Sequence, residues 1–166
     1  MTRFTLTNLP KANTQSAYRF LKAMLRSEPT SKQSDLVFAV IRFVMGLFLS
    51  INFGLLYKMP VQEWFVADLT EHMPYLLFPL FFAWAASLSE VVGGLLLALG
   101  LFTRPASFFI ICTMIGAATF KLTVTGSYWE AMPSMVFLMI GIYHLMLGSG
   151  RYGLDAKLLG WMERKI

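Results

Sequence analysis

The chain has 166 residues, of which 57% are hydrophobic and 14% charged, with a mean hydropathy of +0.61. Soluble domains are roughly 45–50% apolar, so this composition excludes an ordinary soluble enzyme and fits one polytopic membrane domain with no separate catalytic unit. The net charge of +5 lies mainly in the terminal tails, which suits positive membrane flanks rather than a nucleic-acid surface.

Residues 1–35 form a basic tail with Arg3, Lys11, Arg19, Lys22, Arg26 and Lys32 against Glu28 and Asp35. No short apolar core with a small-residue cleavage site follows these charges, so a cleavable signal peptide is not expected. Ser16 to Arg26 is amphipathic, with Ala17, Phe20, Leu21 and Met24 on one face and Arg19, Lys22 and Arg26 largely on the other. That pattern fits a short helix on an anionic leaflet, and equally a solvated helix leading into the membrane.

Leu36 to Tyr57 is the first predicted span. At a rise of roughly 1.5 Å per residue it covers about 33 Å, enough for a hydrocarbon core of about 30 Å. Asp35 is a plausible N-cap. Arg42 lies inside the span on a face continued by Gly46, Leu49, Ser50 and Phe53, and Lys58 closes the helix.

Residues 58–74 read as a polar loop holding Glu63, Asp68, Glu71 and His72. The second span runs over 75–102, with Pro79 as a source of bending. Its stretch from Ala83 to Arg104 carries no charge between its ends except Glu90. The face of Glu90 is Ala83, Ala86, Ser87, Gly93, Gly94 and Leu97, and small residues mark helix contacts in lipid, so Glu90 is predicted to point into a bundle.

Thr103-Arg104-Pro105 forms a tight turn into the third span, 106–123, where Thr113, Gly116 and Ala117 make a small face leading to Phe120 and Lys121. The lone Cys112 excludes an intrachain disulfide or a paired-thiol oxidant and reads as a buried small residue. The fourth span, 132–149, carries His144 with Phe137, Ile140, Gly141 and Gly148 on its face. Arg151 to Ile166 forms an amphipathic tail.

The predicted fold is therefore all-α, a polytopic membrane four-helix bundle flanked by amphipathic terminal helices. The tails and the 103–105 turn hold most of the Lys and Arg, which puts both termini in the cytoplasm by the positive-inside rule.

Three intramembrane polar residues are candidates for chemistry. A charge at the bilayer centre costs about 2.5–3.5 kcal/mol on insertion scales and marks a functional candidate. Counting rise per residue from the cytoplasmic edge places Arg42 and His144 at roughly 9 Å and Glu90 at roughly 18 Å. This predicts an Arg42–Glu90 pair, with His144 as a neighbour able to exchange a proton near neutral pH. Arg42 could instead snorkel to the interface, Glu90 could lock helix packing, and His144 could be a packing residue.

On the far side Lys58, Lys121 and Glu130 could line a cationic vestibule for a small anion, or the lysines could anchor helix ends at the headgroups. Gly93 and Gly94 flank Glu90 as candidate ligand-contact positions. No CxxC, HExxH, Walker loop or GxSxG occurs, so no metal site is predicted. The two histidines, His72 and His144, fall on opposite sides, which argues against a bis-histidine haem.

These residues carry a family resemblance. Arg42 with Gly46, Gly54 with Lys58, Glu90-Val91-Val92-Gly93-Gly94, Gly100-Leu101-Phe102-Thr103-Arg104, and Gly148-Ser149-Gly150 leading to Leu154-Asp155 resemble the DoxX family over about residues 36–156. The resemblance implies a four-span protein of the bacterial cytoplasmic (inner) membrane, in a family named from a thiosulfate:quinone oxidoreductase subunit. Other members look like membrane partners of redox and stress-response proteins. Arg151-Tyr152-Gly153 stands where relatives often have Ser before Leu-Asp.

The reading that follows is a redox-associated subunit of a membrane protein complex, with Arg42, Glu90 and His144 as a place for a quinone head group or proton transfer. No electron carrier is visible in the chain, so a flavin, haem or copper partner would supply it. The alternatives are a non-catalytic scaffold or assembly subunit, and a small-solute or lipid-handling protein.

Overall fold

The computed structural model describes residues 11–25 and 31–164. Arg3, Arg26, Glu28 and Lys165 of the basic tails lie outside the described residues, as does the end of the predicted amphipathic helix at Arg26. The described chain is all-α. Its helices are α1 (Lys11–Leu25), α2 (Lys32–Lys58), α3 (Glu63–His72), α4 (Pro79–Leu99), α5 (Thr103–Thr125), α6 (Tyr128–Leu147) and α7 (Leu154–Glu163). Four of them, α2, α4, α5 and α6, are long and apolar enough to cross a membrane.

Local chemistry sets the helix ends. Ser31, not Asp35, caps α2: its hydroxyl accepts from the Ser34 N–H at 3.2 Å. Asp35 falls in the first turn, where a carboxylate complements the helix dipole, and its side chain pairs with Arg151 at 3.0 Å. Pro79 is the first residue of α4 rather than a bend within it, a position where its missing N–H costs nothing. The turn between α4 and α5 is Gly100–Phe102, with Gly100 (φ 66°) and Phe102 (φ 46°) both left-handed. Thr103, Arg104 and Pro105, expected to be that turn, form the first turn of α5.

The segment expected as a polar loop contains the amphipathic helix α3. Phe65, Leu69 and Met73 recur every four residues and pack with Ala83 in one apolar cluster that Val61, Val66, Leu76 and Phe120 extend. That spacing was readable in the sequence, but the acidic residues between obscured it.

Helices α2 and α4 touch through small residues. A Cβ on Gly46 would lie 2.6 Å from the Ala98 nitrogen, and one on Gly94 would lie 2.8 Å from the Gly46 oxygen. Ser50 Oγ donates to the Val91 carbonyl at 2.8 Å. Such backbone contact is what drives helix association where lipid removes the hydrophobic incentive.

Helices α5 and α6 pack side by side, with Ala106, Ser107, Ile110, Met114 and Ala118 of α5 turned inward. Leu49, Leu97, Ile110, Met114 and Phe137 form the core. Two expectations about α5 fail. Cys112 is exposed on the outer surface, and a Cβ on Gly116 would meet nothing within 4 Å. The inward stripe is one helical step away from the expected Thr113, Gly116 and Ala117, because Ile110 and Met114 fill the core.

Candidate functional site

The buried charged groups form two separate clusters, one at the Lys58 end of α2 and one at the end that carries α1 and α7. In the first, Lys58 Nζ lies 2.5 Å and 2.7 Å from the two carboxylate oxygens of Glu90. The Glu90 side chain is 2% exposed and that of Lys58 12%. The ammonium also sits 5.3 Å from the centre of the Phe65 ring, so α3 covers the pair with an aromatic face.

Both partners stand in widened π-helical turns, Leu49–Lys58 of α2 and Ser89–Gly93 of α4. Turns of this type are frequent at functional sites. The Met59 N–H bonds to Gly54 O at 3.0 Å, five residues back. The Ser50 hydroxyl approaches the same stretch of α4 through Val91.

The expected pairing of Arg42 with Glu90 is not formed. Arg42 Nη1 donates to the carbonyl of Ser149, and its guanidinium lies against Gly100, where a Cβ would come within 2.6 Å of Nη2. The helix register explains this. Gly46 faces Gly94 and Ala98, and Ser50 faces Val91, so Arg42 falls opposite Gly100. Ten residues separate Gly100 from Glu90 along α4, which is ~15 Å at helical rise.

Side-chain direction decides the rest. Side chains lean toward the N-terminus of their own helix. Arg42 on α2 therefore leans toward the end that carries α1 and α7, and Lys58 leans inward. Glu90, on the antiparallel α4, leans outward to meet Lys58. A depth count that ignored this direction chose the wrong cation.

The second cluster ties the termini to the bundle. Asp155, 1% exposed, accepts from the Phe102 N–H at 2.7 Å through Oδ1 and from the Thr103 N–H at 3.0 Å through Oδ2. Its own N–H donates to Gly100 O at 2.9 Å. One carboxylate thus holds the N-terminus of α5, where the dipole favours negative charge. Gly153 lies so close to Ser149 that any Cβ there would collide with it.

His144 is buried, with Nδ1 3.3 Å from Gly148 O. It therefore shares the Gly148–Ser149 corner with Arg42, apart from Glu90. Asp35, Tyr143, His144, Ser149 and Gly150 line a cavity of about 20 Å³ there, the size of a single water site.

Lys121 does not join Lys58. It pairs with Glu130 at 3.8 Å, both side chains well exposed, so the expected vestibule divides into a buried pair and a surface pair. Gly93 contacts Ile110 and Gly94 contacts α2, which makes both of them packing positions. Among the described residues no group of three His, Cys, Asp or Glu could hold a metal ion.

Four apolar helices with charges buried between them at both ends define a multi-pass membrane protein in contact with lipid. A model of the DoxX family matches residues 37–125, more than half of the chain, and the chain belongs to that family. The match spans α2 to α5 and includes Arg42, Lys58, Glu90 and Gly100, whereas Ser149 and Asp155 lie beyond it. No curated protein and no solved structure matches the chain.

Proposed function

We propose that this chain is a redox-associated membrane subunit whose Lys58–Glu90 pair receives the polar head of a lipophilic ligand, with a quinone the best chemical fit. The pair itself carries the reading. A buried ion pair is costly to desolvate, and apolar residues of the same volume often hold a fold as well or better, so packing alone gives little reason for it. The ammonium can donate to a quinone carbonyl and release its proton to the reduced oxygen, and the carboxylate can take up a proton from water and relay it as the second. Reduction to the quinol takes two electrons and two protons. The electrons come from a flavin, haem or copper partner in the same membrane complex. In this reading the chain lies in a bacterial inner membrane, with the basic α1 and α7 on the cytoplasmic side, as the positive-inside rule favours, and the pair toward the other side.

The test is solvent extraction of the full chain purified in native-lipid nanodiscs, with quinone measured by absorbance after chromatography. The expected result is quinone retained by the parent protein and lost in Glu90→Gln and Lys58→Met, with helicity unchanged. Equal retention in all three overturns the reading.

A scaffold role is the second reading. It is supported by the engagement of Arg42, Asp35 and Asp155 with groups of the chain itself, which makes them fasteners of the fold. A stoichiometric complex without redox turnover would favour it.

A further inference from the structure

Helices α1 and α7 pack on each other, and α1 also packs on α5. The described acids at this end of the bundle are all engaged. Asp35 pairs with Arg151 at 3.0 Å, Glu163 with Lys22 at 2.9 Å, and Asp155 holds the backbone of Phe102 and Thr103. The hydrogen bond to Glu163 raises the pKa of Lys22, so that pair stays charged. Arg19, Lys32, Lys157 and Arg164 are exposed, and none of them pairs with an acid among the described residues.

The exposed apolar residues lie among these cations. Lys157 and Trp161 of α7 and its C-cap Arg164 follow helical spacing, and Arg19 and Phe20, adjacent in α1, are both exposed. Phe20 is 64% exposed and Trp161 49%. Only the turn Gly148–Gly153 separates α7 from the end of α6, so this surface adjoins the end of a candidate membrane span. Trp and Phe among Arg and Lys at that depth are the pattern of an interfacial lipid surface.

We infer that the exposed cations and aromatic side chains of α1 and α7 form one docking surface for the phosphodiester headgroups of anionic phospholipid, with Arg19, Lys157 and Arg164 as the phosphate contacts and Phe20 and Trp161 as the anchors. Charge complementarity selects this occupant: each described acid at this end is already engaged, so the remaining cations keep the surface positive toward a negative leaflet.

The experiment uses the full chain in nanodiscs holding equal fractions of either brominated phosphatidylglycerol or brominated phosphatidylcholine in an unbrominated phosphatidylcholine background. Bromine quenches tryptophan at short range, and Trp161→Phe identifies the share of the signal from α7. The expected result is stronger quenching of Trp161 by the anionic lipid, lost at high salt, where screening is complete within a few ångströms. The preference should fall by about fivefold for each cation removed, and disappear in the triple variant Arg19→Gln/Lys157→Gln/Arg164→Gln. Lys121→Gln, on the far side, should leave it unchanged. Equal quenching by both lipids overturns the inference, and so does a preference that survives in the triple variant. Salt-sensitive retention of a purified acidic protein without any lipid preference would also overturn it, by assigning the surface to a protein partner.

Discussion

Arg42 and Gly100 share a space that only a residue without a side chain can leave open: a Cβ on Gly100 would lie 2.6 Å from Nη2 and 2.7 Å from the guanidinium carbon. Gly100 also has a φ of 66°, which costs other L-residues roughly 1–2 kcal/mol. Two requirements meet at one position. Gly100→Ala is expected to push the guanidinium off Ser149 and lower the thermal midpoint of the solubilised protein. Combined with Arg42→Ala it should cost less than the two changes added, since both disturb one contact. Midpoints from size-exclusion after heating check this, and strict additivity would contradict it.

Removing either partner of the Lys58–Glu90 pair leaves a buried charge without its counterion, an effect of about 3–5 kcal/mol. Lys58→Met and Glu90→Gln should each lower stability, Lys58→Met more, because it strands a carboxylate. The double variant Lys58→Met/Glu90→Leu should recover most of the loss. A four-way comparison of unfolding midpoints in one detergent measures this coupling, and a double variant as unstable as the sum of the singles would refute it.

Asp155→Ala orphans the N–H groups of Phe102 and Thr103, at about 1–3 kcal/mol for each buried unsatisfied donor. Asp155→Asn keeps one acceptor and should fall between Ala and the parent. Hydrogen exchange at residues 102 and 103 reads the effect directly: protection should drop in the order Asp, Asn, Ala.

The two surfaces of α5 and α2 separate packing glycines from idle ones. Gly116→Leu adds a side chain into open space and should change stability little, whereas Gly46→Leu drives atoms into the Ala98 backbone and should prevent assembly. Cys112 lies on the lipid-facing surface of a span, so a membrane-permeant maleimide should label it slowly in the bilayer, where the water that thiolate chemistry needs is excluded, and fully after denaturation. Expression and labelling yields provide the measurement.

The sequence made the four spans legible because apolar runs of that length admit few other readings. It also singled out Arg42, Glu90, His144 and Lys58. What it did not show was which of them meet. That depended on the sliding register of α2 against α4, fixed by Gly46, Ser50 and Gly94, and on the lean of each side chain toward its helix start. The lean could have been applied from sequence, and it would have turned Glu90 toward Lys58. Asp155 was visible within the family motif, but its role was hidden, because its partners are backbone N–H groups about fifty residues away.

That separation bears on how the protein is made. Phe102 must wait for an acceptor that lies 53 residues later in the chain, roughly 3–10 s at ordinary rates of translation. Within that interval the third span is itself made and threaded, while the corner joining it to the second has no latch. A ribosome stalled before residue 155 would therefore release a bundle with an open hinge, a natural target for membrane quality control.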